Sequence, residues 1–269
     1  MSGLEHGKVC IFGAGGPVGA MAARALGQDY TLRLTDLLDI EDILANRDPQ
    51  SKHAPLPKRP EAPHEWRCVD VTQYEQVCDA ARGMDALINV TVIRPELVGA
   101  FRVNLVGAYN VMQAAVQCGI RRVIHTGPRH LGVGFDGDGE SDFDIPDEAP
   151  LVSGSHLYAL TKQLGAELVR TFAEEYGIRV MNFLYCGFQP GDDGDAEDGS
   201  GLGPFTISWE DTGEAFRYAL RAADLPRVYE VFHICANTPH SKYSSEKAER
   251  LLGWKPQHNF ERLYRRPKI

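Results

Sequence analysis

The chain has 269 residues, of which 43% are hydrophobic and 24% are charged, and its formal net charge is -9. This length suits one α/β domain with a full core. The acidic balance argues against a nucleic-acid partner, because an acidic protein gains nothing from releasing the counterions of a phosphate backbone.

Short apolar runs alternate along the chain with longer helical patterns. The runs predict strands at 8–12, 31–35, 66–69, 86–90, 122–126, 178–185 and 228–234. Helical periodicity predicts helices at 18–26, 73–82, 95–118, 153–176 and 210–223. This alternation predicts a doubly wound (Rossmann) parallel sheet within a single domain. We expect residues 1–180 to form mainly a dinucleotide-binding core and residues 181–269 mainly a small substrate-binding lobe.

Three segments, 46–65, 134–150 and 189–204, follow neither pattern, and the last two come after strands whose ends would face a substrate. The acidic run 192–198 lacks the spacing of a calcium loop, so we expect a solvated lid and no metal. No run is long enough to span a membrane, and the polar residues 1–8 predict no signal peptide. The scattered cysteines favour reduced thiols in the cytoplasm.

The first predicted strand runs into the glycine-rich turn GAGGPVG at 13–19. Its first glycine permits a tight turn, its second or third lets a pyrophosphate approach, and its last lets the helix pack closely. The free N–H groups of the following helix attract phosphate. The residues of this turn that we expect to contact a dinucleotide are Gly13, Gly15, Gly16, Pro17, Val18 and Gly19.

Asp36 ends the second predicted strand, near the spacing expected of a carboxylate that binds the adenosine ribose. No basic residue follows it closely, which favours NAD over NADP, although Arg33 precedes it.

Three later strand ends add candidate contacts. Asp70 and Val71 would meet the adenine, or Asp70 is a solvated strand end. Asn89 and Thr91 would line the cofactor, or they form a plain turn. Cys186 would lie near the nicotinamide, or it is a packed thiol.

Tyr158 and Lys162 are four residues apart in a predicted helix, which places both side chains on one face. An ammonium beside a phenol lowers the phenol pKa, so this tyrosine could exchange a proton with a substrate hydroxyl.

The chain resembles an extended short-chain dehydrogenase/reductase of the NAD-dependent epimerase/dehydratase family. The glycine turn, the Tyr-x-x-x-Lys pair and segments 101–111, 119–125, 209–215 and 252–256 carry this resemblance over nearly the whole chain. Its length and its Leu-Gly-Trp-Lys-Pro segment are most similar to those of uronate dehydrogenase-like members, which oxidise a hexuronic acid with NAD.

The resemblance implies NAD as cofactor, a sugar-like small molecule as substrate, and a homodimer formed through the two long helices. It makes Tyr158 the acid/base and Lys162 the residue that holds the nicotinamide ribose. It also gives Asn104 the role of ordering a water or the lysine.

Two departures from the family pattern stand out. The family has a serine after the fifth strand that hydrogen-bonds the reacting oxygen, but Gly127 occupies that position, so Thr126, Arg129 or His130 would have to replace it. A uronate also requires a cation, and 185–206 contains no Arg or Lys. Arg94 or Arg129 could supply that charge.

Three functions stay open at this point. The first is an NAD-dependent dehydrogenase of a sugar or sugar acid. The second is an epimerase or dehydratase with tightly bound NAD, and the third is an NAD(H)-binding regulator without catalysis.

Overall fold

A computed structural model describes residues 3–46, 54–94, 96–132, 145–148, 150–185, 187–191, 202–239 and 241–263. Within these ranges the strands are β1 (Gly7–Phe12), β2 (Tyr30–Asp36), β3 (Glu65–Cys68), β4 (Ala86–Asn89), β5 (Arg122–Pro128), β6 (Arg179–Tyr185), β7 (Phe188–Gln189), β8 (Ile207–Ser208) and β9 (Tyr229–His233). The α-helices are α1 (Pro17–Leu26), α2 (Ile40–Ala45), α3 (Tyr74–Ala81), α4 (Leu97–Ala100), α5 (Ala108–Gln117), α6 (Leu157–Tyr176), α7 (Trp209–Arg221) and α8 (Glu246–Leu252). A π-helix, Phe101–Gly107, joins α4 to α5.

Seven of these strands form one parallel sheet in the order β3-β2-β1-β4-β5-β6-β9. The order reverses between β1 and β4, which is where a doubly wound sheet binds its ligand. The prediction of a Rossmann-type sheet is confirmed. The short strands β7 and β8 pair separately.

The sheet is covered on both faces, as a parallel sheet requires. Val9 and Ile11 of β1 belong to the apolar cluster that includes residues of α1 and α7, whereas Cys10 and Phe12 belong to the cluster with α3, α5 and α6. All four side chains are fully buried. The continuous apolar run at 9–12 therefore reflects burial on two sides.

Part of the segment expected to form the substrate lobe belongs to the main fold. Strands β6 and β9 lie in the large sheet, and α7 packs against α1 so closely that a Cβ on Gly213 would lie 2.7 Å from the carbonyl oxygen of Met21. The division of roles between 1–180 and 181–269 stays a prediction.

Asp211 of α7 fastens the C-terminal segment to the fold. Its carboxylate accepts the backbone N–H groups of Gln257 and His258, each at 2.9 Å, and its carbonyl accepts the indole N–H of Trp254 at 3.2 Å. This contact gives the Leu-Gly-Trp-Lys-Pro segment a structural role. No helix in the described ranges has the length and apolarity to cross a membrane, and the cytoplasmic location stays a prediction.

Candidate active site

The glycine turn after β1 is shaped by close backbone approaches. Gly13 has φ 89°, and a Cβ there would lie 3.0 Å from the amide nitrogen of Thr91. A Cβ on Gly19 would overlap the carbonyl oxygen of Gly13. Gly16 precedes α1 as its N-cap, and its nearest neighbour, at 3.5 Å from an added Cβ, leaves room for a side chain. Pro17 begins the helix, where a proline loses no hydrogen bond.

Asp36 lies beside this turn, as its spacing predicted. The backbone N–H of Gly15 donates to its Oδ2 at 2.9 Å, and that of Leu37 donates to its Oδ1 at 2.8 Å. Burial raises the pKa of Asp36, and the two hydrogen bonds oppose this shift. A Cβ on Gly15 would lie 2.8 Å from Oδ2. Gly15 is thus the glycine that brings the turn against the carboxylate. The contacts of this turn and of Asp36 with a dinucleotide stay a prediction.

Polar groups at the end of β4 lie against the glycine turn. The Oδ1 of Asn89 accepts the N–H of Thr91 at 3.2 Å and its hydroxyl at 2.7 Å. The hydroxyl of Thr126 donates to the carbonyl of Asn89 at 3.2 Å. Asn89 and Thr91 therefore shape the turn that touches Gly13, and their contact with a cofactor stays a prediction.

Asp70 and Val71 lie at the start of the turn into α3. The Oδ1 of Asp70 accepts the N–H of Thr72 at 2.9 Å, and the buried Asn110 side chain donates to the carbonyl of Val71 at 2.8 Å. These contacts give both residues a structural role. Their contact with adenine stays a prediction, and Cys186 lies outside the described residues.

Tyr158 and Lys162 line a cleft of about 590 Å³ that reaches from α6 to the start of α1. Val18 and Thr126 line it as well, so the structure brings these four predicted residues together. The cleft also contains Arg94, which sequence reasoning named as a possible cation, and apolar residues such as Val90, Val92, Tyr185 and Phe188, which it did not name.

His156 also lines the cleft, and its imidazole can donate or accept a hydrogen bond. The sequence did not predict it as a site residue. It lies two residues before Tyr158, and the two rings meet edge to face with centroids 6.2 Å apart. A histidine directly before a helix that carries Tyr-x-x-x-Lys was the one available signal.

Lys162 is almost fully buried, at 3% exposure. Burial and, to a smaller extent, the charge of Arg94 together lower its pKa to about 7. Because the shift comes from lost hydration and a nearby cation, an anion bound in the cleft would favour the charged ammonium.

Asn104 connects the loop after β4 to the helix that carries Tyr158. Its Oδ1 accepts the N–H of Ile93 at 3.0 Å, and its Nδ2 donates at 2.9 Å both to the Ile93 carbonyl and to the Thr161 hydroxyl. Thr161 in turn donates to the carbonyl of Tyr158 at 2.7 Å. Asn104 is a positioning residue, and its ordering of a water or of the lysine stays a prediction.

The position of the family serine is apolar in this protein. A Cβ on Gly127 would lie 3.1 Å from the Cδ2 of Leu184 and 3.2 Å from the Cδ1 of Leu131. Of the side chains considered as replacements, Arg129 donates to the hydroxyl of Tyr243 at 3.4 Å. The side chain of His130 lies outside the described residues.

The cleft is lined by basic groups, whereas the chain as a whole has a net negative charge. Among its described lining residues, Arg94, Lys162 and His156 carry basic groups and none is acidic. The acidic run 192–198 lies outside the described residues. Within the described ranges no three His, Cys, Asp or Glu residues are grouped to hold a metal, and the absence of a metal stays a prediction.

The sequence model of the NAD dependent epimerase/dehydratase family matches residues 9–189, well over half of the chain. The parallel sheet, the glycine turn and the match define an NAD-dependent enzyme of the dehydrogenase and epimerase type. The chain belongs to the NAD-dependent epimerase/dehydratase family, as its resemblance implied.

Two curated relatives and one solved structure illustrate the similarity. An NAD-dependent glucose-6-phosphate dehydrogenase of Haloferax volcanii is 27% identical over 262 residues, which cover 93% of this chain and 93% of that protein. A uronate dehydrogenase of Pseudomonas syringae pv. tomato is 24% identical over 181 residues, covering 65% and 57%. The crystal structure of uronate dehydrogenase from Agrobacterium tumefaciens has a TM-score of 0.75 at 19% identity, covering 96% of this chain and 87% of that one. This structural likeness shows the fold.

Proposed function

We propose that this chain oxidises a hydroxyl of an anionic sugar, a sugar phosphate or a sugar acid, with NAD as hydride acceptor. The observation that carries the proposal is the cleft that holds Tyr158, Lys162 and Arg94 together at the end of the glycine turn. The two curated relatives act, by their names, on glucose 6-phosphate and on uronate, and both sugars carry a negative group.

In the proposed reaction Tyr158 takes the proton of the substrate hydroxyl. NAD, when bound, accepts the hydride from the carbon that carries this hydroxyl. The Lys162 ammonium stabilises the phenolate form of Tyr158, which accepts this proton, and donates to the nicotinamide ribose. Asn104 acts indirectly, because its hydrogen bonds to Ile93 and Thr161 keep the loop after β4 in register with α6.

Arg94 is the proposed partner of the anionic group. Its guanidinium is permanently charged and can bind a carboxylate or a phosphate with two parallel hydrogen bonds. The acidic segment after β6 offers no such cation, so the charge comes from the loop after β4.

The test is NADH formation at 340 nm with glucose 6-phosphate, glucuronate, galacturonate and uncharged glucose. We expect turnover of at least one anionic sugar and far slower turnover of glucose.

Tyr158→Phe should lower kcat by about 10²–10⁴-fold. Arg94→Met should raise KM for the anionic sugar at least about tenfold, because a hydrogen bond to a charged group contributes about 1.5–3 kcal/mol.

Equal turnover of glucose, or full activity of Tyr158→Phe, would contradict the proposal. The same assay separates the two alternatives. An epimerase or dehydratase would convert the sugar without net NADH, and a regulator would bind NADH but convert no sugar.

We also propose that the protein acts as a homodimer through α4, the π-helix, α5 and α6. The support is a set of exposed apolar side chains on these helices. They are Leu97, Val98, Val106, Tyr109, Leu157, Leu164 and Tyr176.

A further inference from the structure

The end of β5 offers the reacting oxygen no side-chain proton. Gly127 has no side chain, and its Cβ position faces the ends of Leu131 and Leu184. The hydroxyl of Thr126 lines the cleft, but it donates its proton to the carbonyl of Asn89. An oxygen that develops negative charge beside Tyr158 would therefore have the phenol as its partner but no second donor from this strand.

His156 can provide the second donor from the other side of the cleft. Its ring lines the cleft together with Tyr158 and meets the phenol ring edge to face. His156 is the N-cap residue of α6, directly before Leu157. Its position next to Tyr158 is also fixed, because Asn104 and Thr161 hold the first turns of that helix.

We propose that His156 donates a hydrogen bond to the substrate oxygen that Tyr158 deprotonates, and thereby replaces the missing serine at Gly127. This proposal rests on the proposed function. The hydroxyl proton passes to Tyr158, the hydride leaves the carbon for NAD, and the C–O bond becomes a carbonyl. The N–H bond of His156 stays intact throughout, and its dipole stabilises the charge that develops on the oxygen.

Substitution of His156 and substitution of Arg94 should change different kinetic constants. A donor to the reacting oxygen is strongest in the transition state, so its loss lowers kcat. A residue that binds the distant anionic group acts on substrate and transition state alike, so its loss raises KM.

The experiment compares His156→Ala, His156→Gln and Thr126→Val with the full-length wild-type enzyme, using NAD and the best anionic sugar of the panel. We expect His156→Ala to lower kcat about 10²–10³-fold, the range for loss of one such donor. Its Kd for NADH, by fluorescence titration, and its Tm should stay near wild type. His156→Gln should recover part of the loss because its amide can donate, and Thr126→Val should lose less than His156→Ala.

Glu175→Gln is the matched control, because this exposed residue lies near the distant end of the same helix. It should keep the wild-type kcat. A wild-type kcat in His156→Ala would overturn the proposal, as would a pure rise in KM, which would assign the ring to substrate binding. If the wild-type enzyme oxidises no sugar of the panel, the proposed function fails first and this proposal fails with it.

Discussion

Lys162 illustrates how a single buried residue can make a site sensitive to pH. Its pKa of about 7, lowered by burial and by Arg94, leaves most of the side chain neutral at pH 8. A bound phosphate or carboxylate provides the opposite charge that the free site lacks, and the pKa then rises. Binding of a negatively charged ligand should therefore be accompanied by proton uptake at Lys162.

We predict that binding of an anionic sugar at pH 8 takes up protons, up to about one per site. At pH 6 the lysine is already charged in the free protein, so the uptake should be small. Titration calorimetry in two buffers of different ionisation enthalpy, such as Tris and HEPES, measures the uptake. Lys162→Met should remove it, and equal binding enthalpies in both buffers for the wild type at pH 8 would contradict the prediction.

At the scale of elements, the helix before β5 departs from α-helical geometry where it carries Asn104. The π-helix Phe101–Gly107 turns its backbone toward α6, and a Cβ on Gly165 would lie 2.5 Å from the carbonyl oxygen of Asn104. A π-bulge at a functional site is a recurrent use of this geometry. Here the bulge and a glycine on the facing helix together let Asn104 reach both Ile93 and Thr161.

We predict that Gly165→Ala destabilises the protein by about 1–3 kcal/mol and lowers kcat, because the methyl group would push α6 away from Asn104. An alanine in a helix is ordinarily more stable than a glycine by about 0.5–1 kcal/mol, so the sign of the effect is diagnostic. Urea unfolding and the NADH assay measure the two effects.

Gly99→Ala serves as the control for this substitution. It lies in α4, and its added methyl group would meet the movable end of the Glu96 side chain rather than a backbone atom. The change in its unfolding free energy should be zero or a stabilisation of up to about 1 kcal/mol, because alanine is favoured over glycine in a helix and the Glu96 side chain can move aside. A stabilised, fully active Gly165→Ala would show that the helices do not need this close approach.

The elements that the sequence predicts well are those with local signals. The apolar runs predicted all seven strands of the main sheet, and glycine spacing predicted the turn at Gly13. The helices α2 and α8 have only six and seven residues, too few for a clear periodicity. Strand β5 continues to Pro128 because Gly127 and Pro128 pair with Leu184 and Tyr185 of β6, which no local pattern reveals.

The site residues that were predicted well are likewise those with a local signal in the sequence. The spacing of Tyr158 and Lys162 predicted that they share one helix face, because four residues in a helix fix their relative position. The resemblance to the family then assigned their roles. His156 shares the cleft with residues from β5 and from the loop after β4, so its placement depends on the packed fold. The π-helix likewise depends on side-chain bonds from Asn104 to residues distant in sequence.

For the whole molecule, the distribution of exposed apolar side chains distinguishes one surface from the rest. Half of the large hydrophobic residues that are exposed in the described ranges lie on α4, the π-helix, α5 and α6. These elements include Asn104 and Tyr158, so burial of this surface against a second copy would also stiffen the site. Exposed apolar side chains concentrated on adjoining helices are typical of an interface.

We predict a homodimer by light scattering, with about twice the chain mass of 29.7 kDa. Val106→Glu combined with Leu164→Glu should give a monomer, because each places an unpaired charge in the centre of an apolar interface. Val228→Glu is the control, since Val228 is similarly exposed but belongs to none of these helices and directly precedes β9. A monomeric wild type would contradict the prediction, and loss of the dimer in Val228→Glu would place the interface elsewhere.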